Sequence, residues 1–184
     1  MPWIQSSDDS AKLDLELYFP GDRFPVVVGP NLRDSGWRGG LWVMFVTGDQ
    51  DFTVEVSDGT AAAGFLLFSS EYADPSTVGG PSDFISYQPA TNVGGQNVMT
   101  MVNGGTRAFW KLYETQRLVA GARTGADITY SLHDDLKISE NGLLTNDSDG
   151  DLATVGIASP VVVGIVSAVP STRNNNRLGA DIKY

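Results

Sequence analysis

The stretch Lys12-Leu13-Asp14-Leu15-Glu16-Leu17-Tyr18-Phe19 decides the class of fold. Leu13, Leu15, Leu17 and Phe19 take every second place, with charged or polar residues between them. A repeat of two puts all four on one face of an extended chain and suits a half-buried strand, whereas a helix needs a repeat near 3.6. Phe52, Val54 and Val56 repeat the pattern. Four other apolar runs are short and continuous: Leu41 to Val46, Gly64 to Phe68, Phe109 to Tyr113 and Val161 to Val166. Their β-branched and aromatic content predicts strands buried on both faces. Between the runs stand Gly48-Asp49, Asp58-Gly59, Asn103-Gly104-Gly105, Asn141-Gly142 and Asp149-Gly150, residue types that accept the backbone of tight turns. The expected class is therefore all-β, an antiparallel sandwich or small barrel.

Two regions break the rhythm. Ser69 to Gln96 is dense in Gly, Pro, Ser, Thr and Asn, and it lies inside a span from Ala61 to Thr106 that has no Lys or Arg. A loop of that length in a compact domain is expected to be functional or ordered by a neighbour. Ser171 to Arg177 is a polar connection before a closing strand, Leu178 to Tyr184. From Gly125 onward the apolar pairs Ile128/Tyr130 and Leu136/Ile138, the Asn141-Gly142 turn, Leu143-Leu144, Val161 to Val166 and Ile182 would close a small barrel of their own. The expected organisation is an arm over 1–9, a β lobe over 10–120 carrying the 69–96 loop, and a small barrel lobe over 121–184.

Composition narrows function. Of 184 residues, 22 are acidic and 12 are Lys or Arg, a formal charge of -10, which opposes a phosphate-tracking surface; no nucleic-acid partner is expected. The absence of cysteine removes disulfides, thiolate nucleophiles and thiolate metal sites. Met1 to Asp9 has neither the basic opening nor the apolar core of a secretory signal. The longest apolar stretch, Gly156 to Val169, falls short of the ~20 residues that span a bilayer, so no membrane association is expected.

Three places carry residue types capable of chemistry or ligand binding. His133 in Ser-Leu-His-Asp-Asp could serve as a general base, but no Gly-x-Ser-x-Gly elbow accompanies it, and it reads as an exposed turn histidine. In Asn146-Asp147-Ser148-Asp149-Gly150-Asp151, setting Gly150 at the sixth place of a calcium loop puts Thr145 first and Gly156 twelfth, where that loop needs acids. The frame fails, and the stretch reads as a solvated turn, with another calcium geometry at Asp147, Asp149 and Asp151 left open. Trp3, Trp37, Trp42 and Trp110 could include a sugar-stacking platform, although core packing accounts for most such aromatics. No cofactor is expected, and no enzyme.

The last third resembles the head decoration, or capsid cement, proteins of tailed bacteriophages. The likeness rests on Gly125-Ala-Asp-Ile-Thr-Tyr130, Leu136-Lys-Ile-Ser-Glu-Asn-Gly-Leu143, the Ala158-Ser159-Pro160 turn before Val163-Gly-Ile-Val-Ser167, and Leu178-Gly-Ala-Asp-Ile-Lys-Tyr184. It covers about 60 residues. The resemblance implies a non-enzymatic virion protein, made in the host cytoplasm, that sits as a homotrimer on the outer capsid surface. There it would bind the major capsid protein and stabilise the expanded head by bridging subunits. Two segments are expected to carry capsid or subunit contacts: the arm, through Trp3 and Ile4, and the long loop, through Tyr72, Phe84 and Tyr87. The competing expectations are a carbohydrate- or receptor-binding virion module and a subunit like those of phage tail tubes.

Overall fold

A computed structural model describes residues 15–19, 22–35, 38–48, 52–67, 97–119, 122–147 and 161–183. The chain is all-β. Thirteen strands are described: β1 (Leu15–Phe19), β2 (Arg23–Val28), β3 (Trp42–Phe45), β4 (Thr53–Val56), β5 (Gly64–Leu66), β6 (Asn97–Val102), β7 (Thr106–Trp110), β8 (Gln116–Val119), β9 (Ala122–Asp127), β10 (Asp135–Ile138), β11 (Leu144–Thr145), β12 (Val162–Ala168) and β13 (Leu178–Ile182). Among the described residues one short helix, α1 (Pro30–Ser35), follows β2, and one 3₁₀ turn spans Thr172–Asn174.

The strands form a closed barrel, β2-β4-β3-β5-β6, a six-stranded sheet, β1-β7-β13-β12-β10-β11, and a two-stranded ribbon, β8-β9. Pairing is antiparallel except between β2 and β4, which run parallel with Val27 beside Thr53. The barrel thus closes within residues 23–102, not within 121–184 as the tail's apolar pairs suggest. Those tail strands instead join β1 and β7: β13 pairs with β7 from Leu178↔Trp110 to Ile182↔Thr106. A cut near residue 120 would divide one sheet. The apolar patterns identify β7 and β13 one at a time, but the two lie about 70 residues apart, and their pairing is decided by how faces pack.

Period-two alternation sorts the barrel's side chains into two cores. Val26, Val28, Val43, Val54, Leu66 and Met101 point inward and pack together, and Leu32 of α1 joins them from one end of the barrel. The start of α1 is fixed from β4, where the Glu55 carboxylate accepts the backbone N–H groups of Asn31 (3.2 Å) and Leu32 (2.9 Å). The intervening positions Trp42, Phe65 and Val102 point outward and pack on the six-stranded sheet with Ala108, Trp110, Leu136, Val163 and Leu178. Three rings run across the junction: Trp42 to Phe65 at 5.4 Å and Phe65 to Trp110 at 5.3 Å between centroids. The outer wall of the barrel and the sheet therefore share the larger of the two cores, a main source of stability for a chain without disulfides.

The Asn141-Gly142 turn is where the sheet meets the barrel wall. The Gly142 carbonyl accepts the Trp42 N–H (2.9 Å), and Gly142 sits at φ 69°. A Cβ there would lie 2.7 Å from the Trp42 carbonyl oxygen and 2.8 Å from Val56 Cγ1. Gly142→Ala combines a left-handed backbone with a backbone collision, and it is expected to cost about 2 kcal/mol or more, read as a lower midpoint in urea.

On the sheet's surface the Arg107 guanidinium grips Asp181 across the β7–β13 register, Nε to Oδ1 at 2.6 Å and Nη2 to Oδ2 at 2.5 Å. These hydrogen bonds, aided by the guanidinium charge, hold the Asp181 carboxyl below its ordinary range. A group whose pKa is depressed by folding stabilises the fold above its unfolded pKa and loses that contribution as pH falls through the folded one. Stability should therefore fall on acidification below about pH 4, with a small share from this exposed pair. In Asp181→Asn that share of the slope should vanish from urea titrations at pH 6 and pH 3.

Candidate functional site

Several residues singled out by sequence fall outside the described residues: Trp3, Ile4, Tyr72, Phe84 and Tyr87, with the whole of the 1–9 arm and the 69–96 loop. Asp149, Asp151 and Trp37 do so too. The remaining candidates have definite places. Trp42 is 1% exposed and Trp110 0%, so both are core rings and neither can stack on a sugar. His133 is exposed in the turn after Tyr130, at φ 69°, as its sequence suggests. The adjacent Asp134 carboxylate accepts the Ser131 N–H and the Asn146 amide, each at 2.7 Å, and so shapes the turn.

Asp147 departs from expectation. The sequence predicts a solvated turn, yet Asp147 is 7% exposed, with the Arg117 guanidinium 3.8 Å away, and it lines a small cavity with Glu114, Gln116, Leu118 and Ile128. Among the described residues no group of three or more His, Cys, Asp or Glu could hold a metal.

Glu114 is the most deeply buried acid described, at 1% exposure, and every element around it contributes a partner. It follows β7, and its N–H donates to the Leu144 carbonyl at 2.9 Å. Its Oε2 accepts Arg123 Nε of β9 at 2.5 Å, while Oε1 accepts Ser139 Oγ at 2.8 Å and Asn141 Nδ2 at 3.3 Å. The Tyr130 hydroxyl donates to the Glu114 carbonyl at 2.6 Å. Burial first, then the nearby Glu114 charge, pushes that phenol far above its ordinary value, so it stays a proton donor in this bond. The cavity beside the carboxylate measures about 10 Å³, the room of about one water. An acid so fully engaged beside so small a space is a staple, joining the β8-β9 ribbon to the sheet and to the 139–142 turn.

The other concentration of unusual residues is at one end of the barrel. Along β2 the inward row Val28, Val26 continues to Phe24; along β3 Val43 continues to Phe45; along β4 Val54 continues back to Phe52. β2 and β4 start at the same end because they are parallel, and β3 finishes there because it is antiparallel to β4. The three phenylalanines thus stand at one mouth, opposite the end that receives Leu32. They are 43%, 46% and 67% exposed. Phe45 and Phe52 meet edge to face with centroids 6.1 Å apart, and Val46 beside them is 37% exposed. Phe52 also holds φ 54°, a left-handed backbone that bulky residues rarely adopt.

Sequence reading missed this mouth. The signal was present in Phe52-x-Val54-x-Val56, whose first member overshoots the strand, but Phe45 was hidden inside a continuous apolar run that conceals its parity. Neither a family model nor a curated protein matches this chain.

Proposed function

We propose that the chain is a head decoration protein of a tailed bacteriophage, a non-enzymatic component that binds the outer face of the expanded capsid as a homotrimer and reinforces it by bridging capsid subunits. One observation carries the reading. Three of the four segments resembling that family, at 136–143, 163–167 and 178–184, overlap β10, β12 and β13, which are consecutive neighbours in one sheet, while the fourth, 125–130, begins in β9 of the ribbon. Most of the likeness thus falls on neighbouring strands of one sheet. The acid excess accords with an outward, solvated position away from packaged DNA. Among the described residues no helix is long and apolar enough to cross a membrane. Three attachment points per trimer would multiply a modest single contact through avidity.

The test is sedimentation of the purified chain with expanded heads, and separately with unexpanded proheads, assembled from the major capsid protein of the same genome. Saturable binding to expanded heads is expected, with light scattering giving a particle three times the 19.7 kDa chain. Absence of binding to either shell would overturn the reading.

A further inference from the structure

We propose that Asn103 is a site of spontaneous covalent modification, in which the Gly104 peptide nitrogen displaces ammonia from the Asn103 side chain, and that the fold slows the same reaction at the other Asn-Gly pair, Asn141-Gly142.

Asn-Gly is a dipeptide open to this chemistry because glycine puts no side chain in the way of ring closure. The Gly104 nitrogen attacks Cγ of Asn103. The N–Cγ bond forms, the Cγ–Nδ2 bond breaks, and Nδ2 leaves as ammonia with the proton that the Gly104 nitrogen gives up. The product is a five-membered succinimide. Water then opens the ring, giving aspartate where the new bond breaks and isoaspartate where the original peptide bond breaks. Nothing is oxidised or reduced. The dipeptide is identical at the two positions, so its surroundings decide which one reacts.

At Asn103, in the turn between β6 and β7, the reacting groups already meet. The Asn103 N–H donates to the Asp22 carbonyl at 2.9 Å and anchors the main chain. The side chain folds forward, so that its Oδ1 accepts the Gly104 N–H at 2.7 Å. Cγ is bonded to that oxygen, which makes nucleophile and electrophile neighbours, and such proximity raises the rate of an intramolecular step. The turn also has room to rearrange: Gly105 is exposed, and a Cβ placed on it would meet nothing within 4 Å.

At Asn141 these features are reversed. Gly142 is buried, its N–H donates to the Ser139 carbonyl at 3.0 Å, and it packs so closely on the Trp42 carbonyl that no Cβ would fit. The Asn141 amide is engaged by a different residue, with Nδ2 donating to Glu114 Oε1 at 3.3 Å. Ring closure there must wait for the turn to open locally.

The experiment incubates the full chain at pH 8 and 37 °C, folded and, in parallel, unfolded in urea. After digestion with chymotrypsin, the peptides carrying positions 103 and 141 are followed by mass spectrometry for the gain that marks an amide becoming an acid. In the folded chain position 103 should convert at least about 10-fold faster than position 141, with isoaspartate among its products. In urea the two rates should converge. The rate at 103 should also fall between pH 8 and pH 6, because the attacking nitrogen must lose its proton. Each conversion adds a negative charge to a chain of formal charge -10, so ion exchange resolves the product independently. An unmodified Asn103, or conversion at 141 as fast as at 103 in the folded chain, would overturn the proposal. Persistence of the full difference in urea would overturn it as well, by assigning the selectivity to neighbouring sequence and not to the fold.

Discussion

Trp110→Ala is expected to remove about 3–5 kcal/mol, enough to consume most of the stability of an ordinary domain. Trp110 is fully buried on β7, pairs in register with Leu178 and with Leu15, and meets Phe65 of the barrel at 5.3 Å. Its loss would open a cavity where the barrel wall and the sheet meet. Trp110→Phe separates volume from polarity. Among the described residues the indole N–H of Trp110 has no hydrogen-bond partner, and the same holds for Trp42. The phenylalanine variant deletes that orphan donor along with part of the ring, so its cost should be about half that of alanine. Urea or guanidinium unfolding followed by tryptophan fluorescence and circular dichroism reads both. A cost under about 1 kcal/mol for Trp110→Ala would contradict the shared core.

Glu114→Ala should cost about 3 kcal/mol, for a different reason. The carboxylate is the common acceptor of Arg123, Ser139 and Asn141. Its removal leaves the buried Ser139 hydroxyl and part of the Asn141 amide without that acceptor, and it releases the ribbon strand that Arg123 holds. Arg123 is half exposed and can turn to water, so the loss lies mainly in the buried partners. Glu114→Gln keeps one acceptor oxygen and the side-chain shape but not the charge. It should cost about 1–2 kcal/mol. Hydrogen exchange should show the alanine variant loosening β8, β9 and the 139–142 turn before the barrel. Equal effects on barrel and ribbon would contradict the assignment of Glu114 as a local staple.

How far the sequence alone reaches is clearest in particular elements. Leu15, Leu17 and Phe19 fall in β1; Val54 and Val56 fall in β4; the Val161 to Val166 run overlaps β12, where Val163 and Val166 are fully buried. Local alternation and β-branched content suffice for these, because they record how each strand meets its own surroundings. Partner choice is a property of faces that are distant in sequence. That is why the barrel appears at 23–102, why β7 pairs with β13, and why one pair of strands runs parallel.

The candidate sites divide on the same principle. His133 could be read as a turn residue from its neighbours. Asp147 could not be read as buried, because Gln116, Leu118 and Ile128, which line a cavity with it, come from a different segment. The aromatic mouth needed three strands brought to one end, and nothing local in Phe24, Phe45 or Phe52 announces that they converge. Burial of Trp42 and Trp110 likewise follows from sheet meeting barrel, and it takes away two of the four tryptophans on which a sugar-binding reading would rest.

The proposed role is mechanical: reinforcement of an expanded head. The most direct measurement is the temperature at which DNA-filled expanded heads release their DNA, with and without saturating amounts of the purified chain, followed by a dye excluded from intact particles. A rise of several degrees that saturates with occupancy is expected. A release temperature unchanged at full occupancy would contradict it.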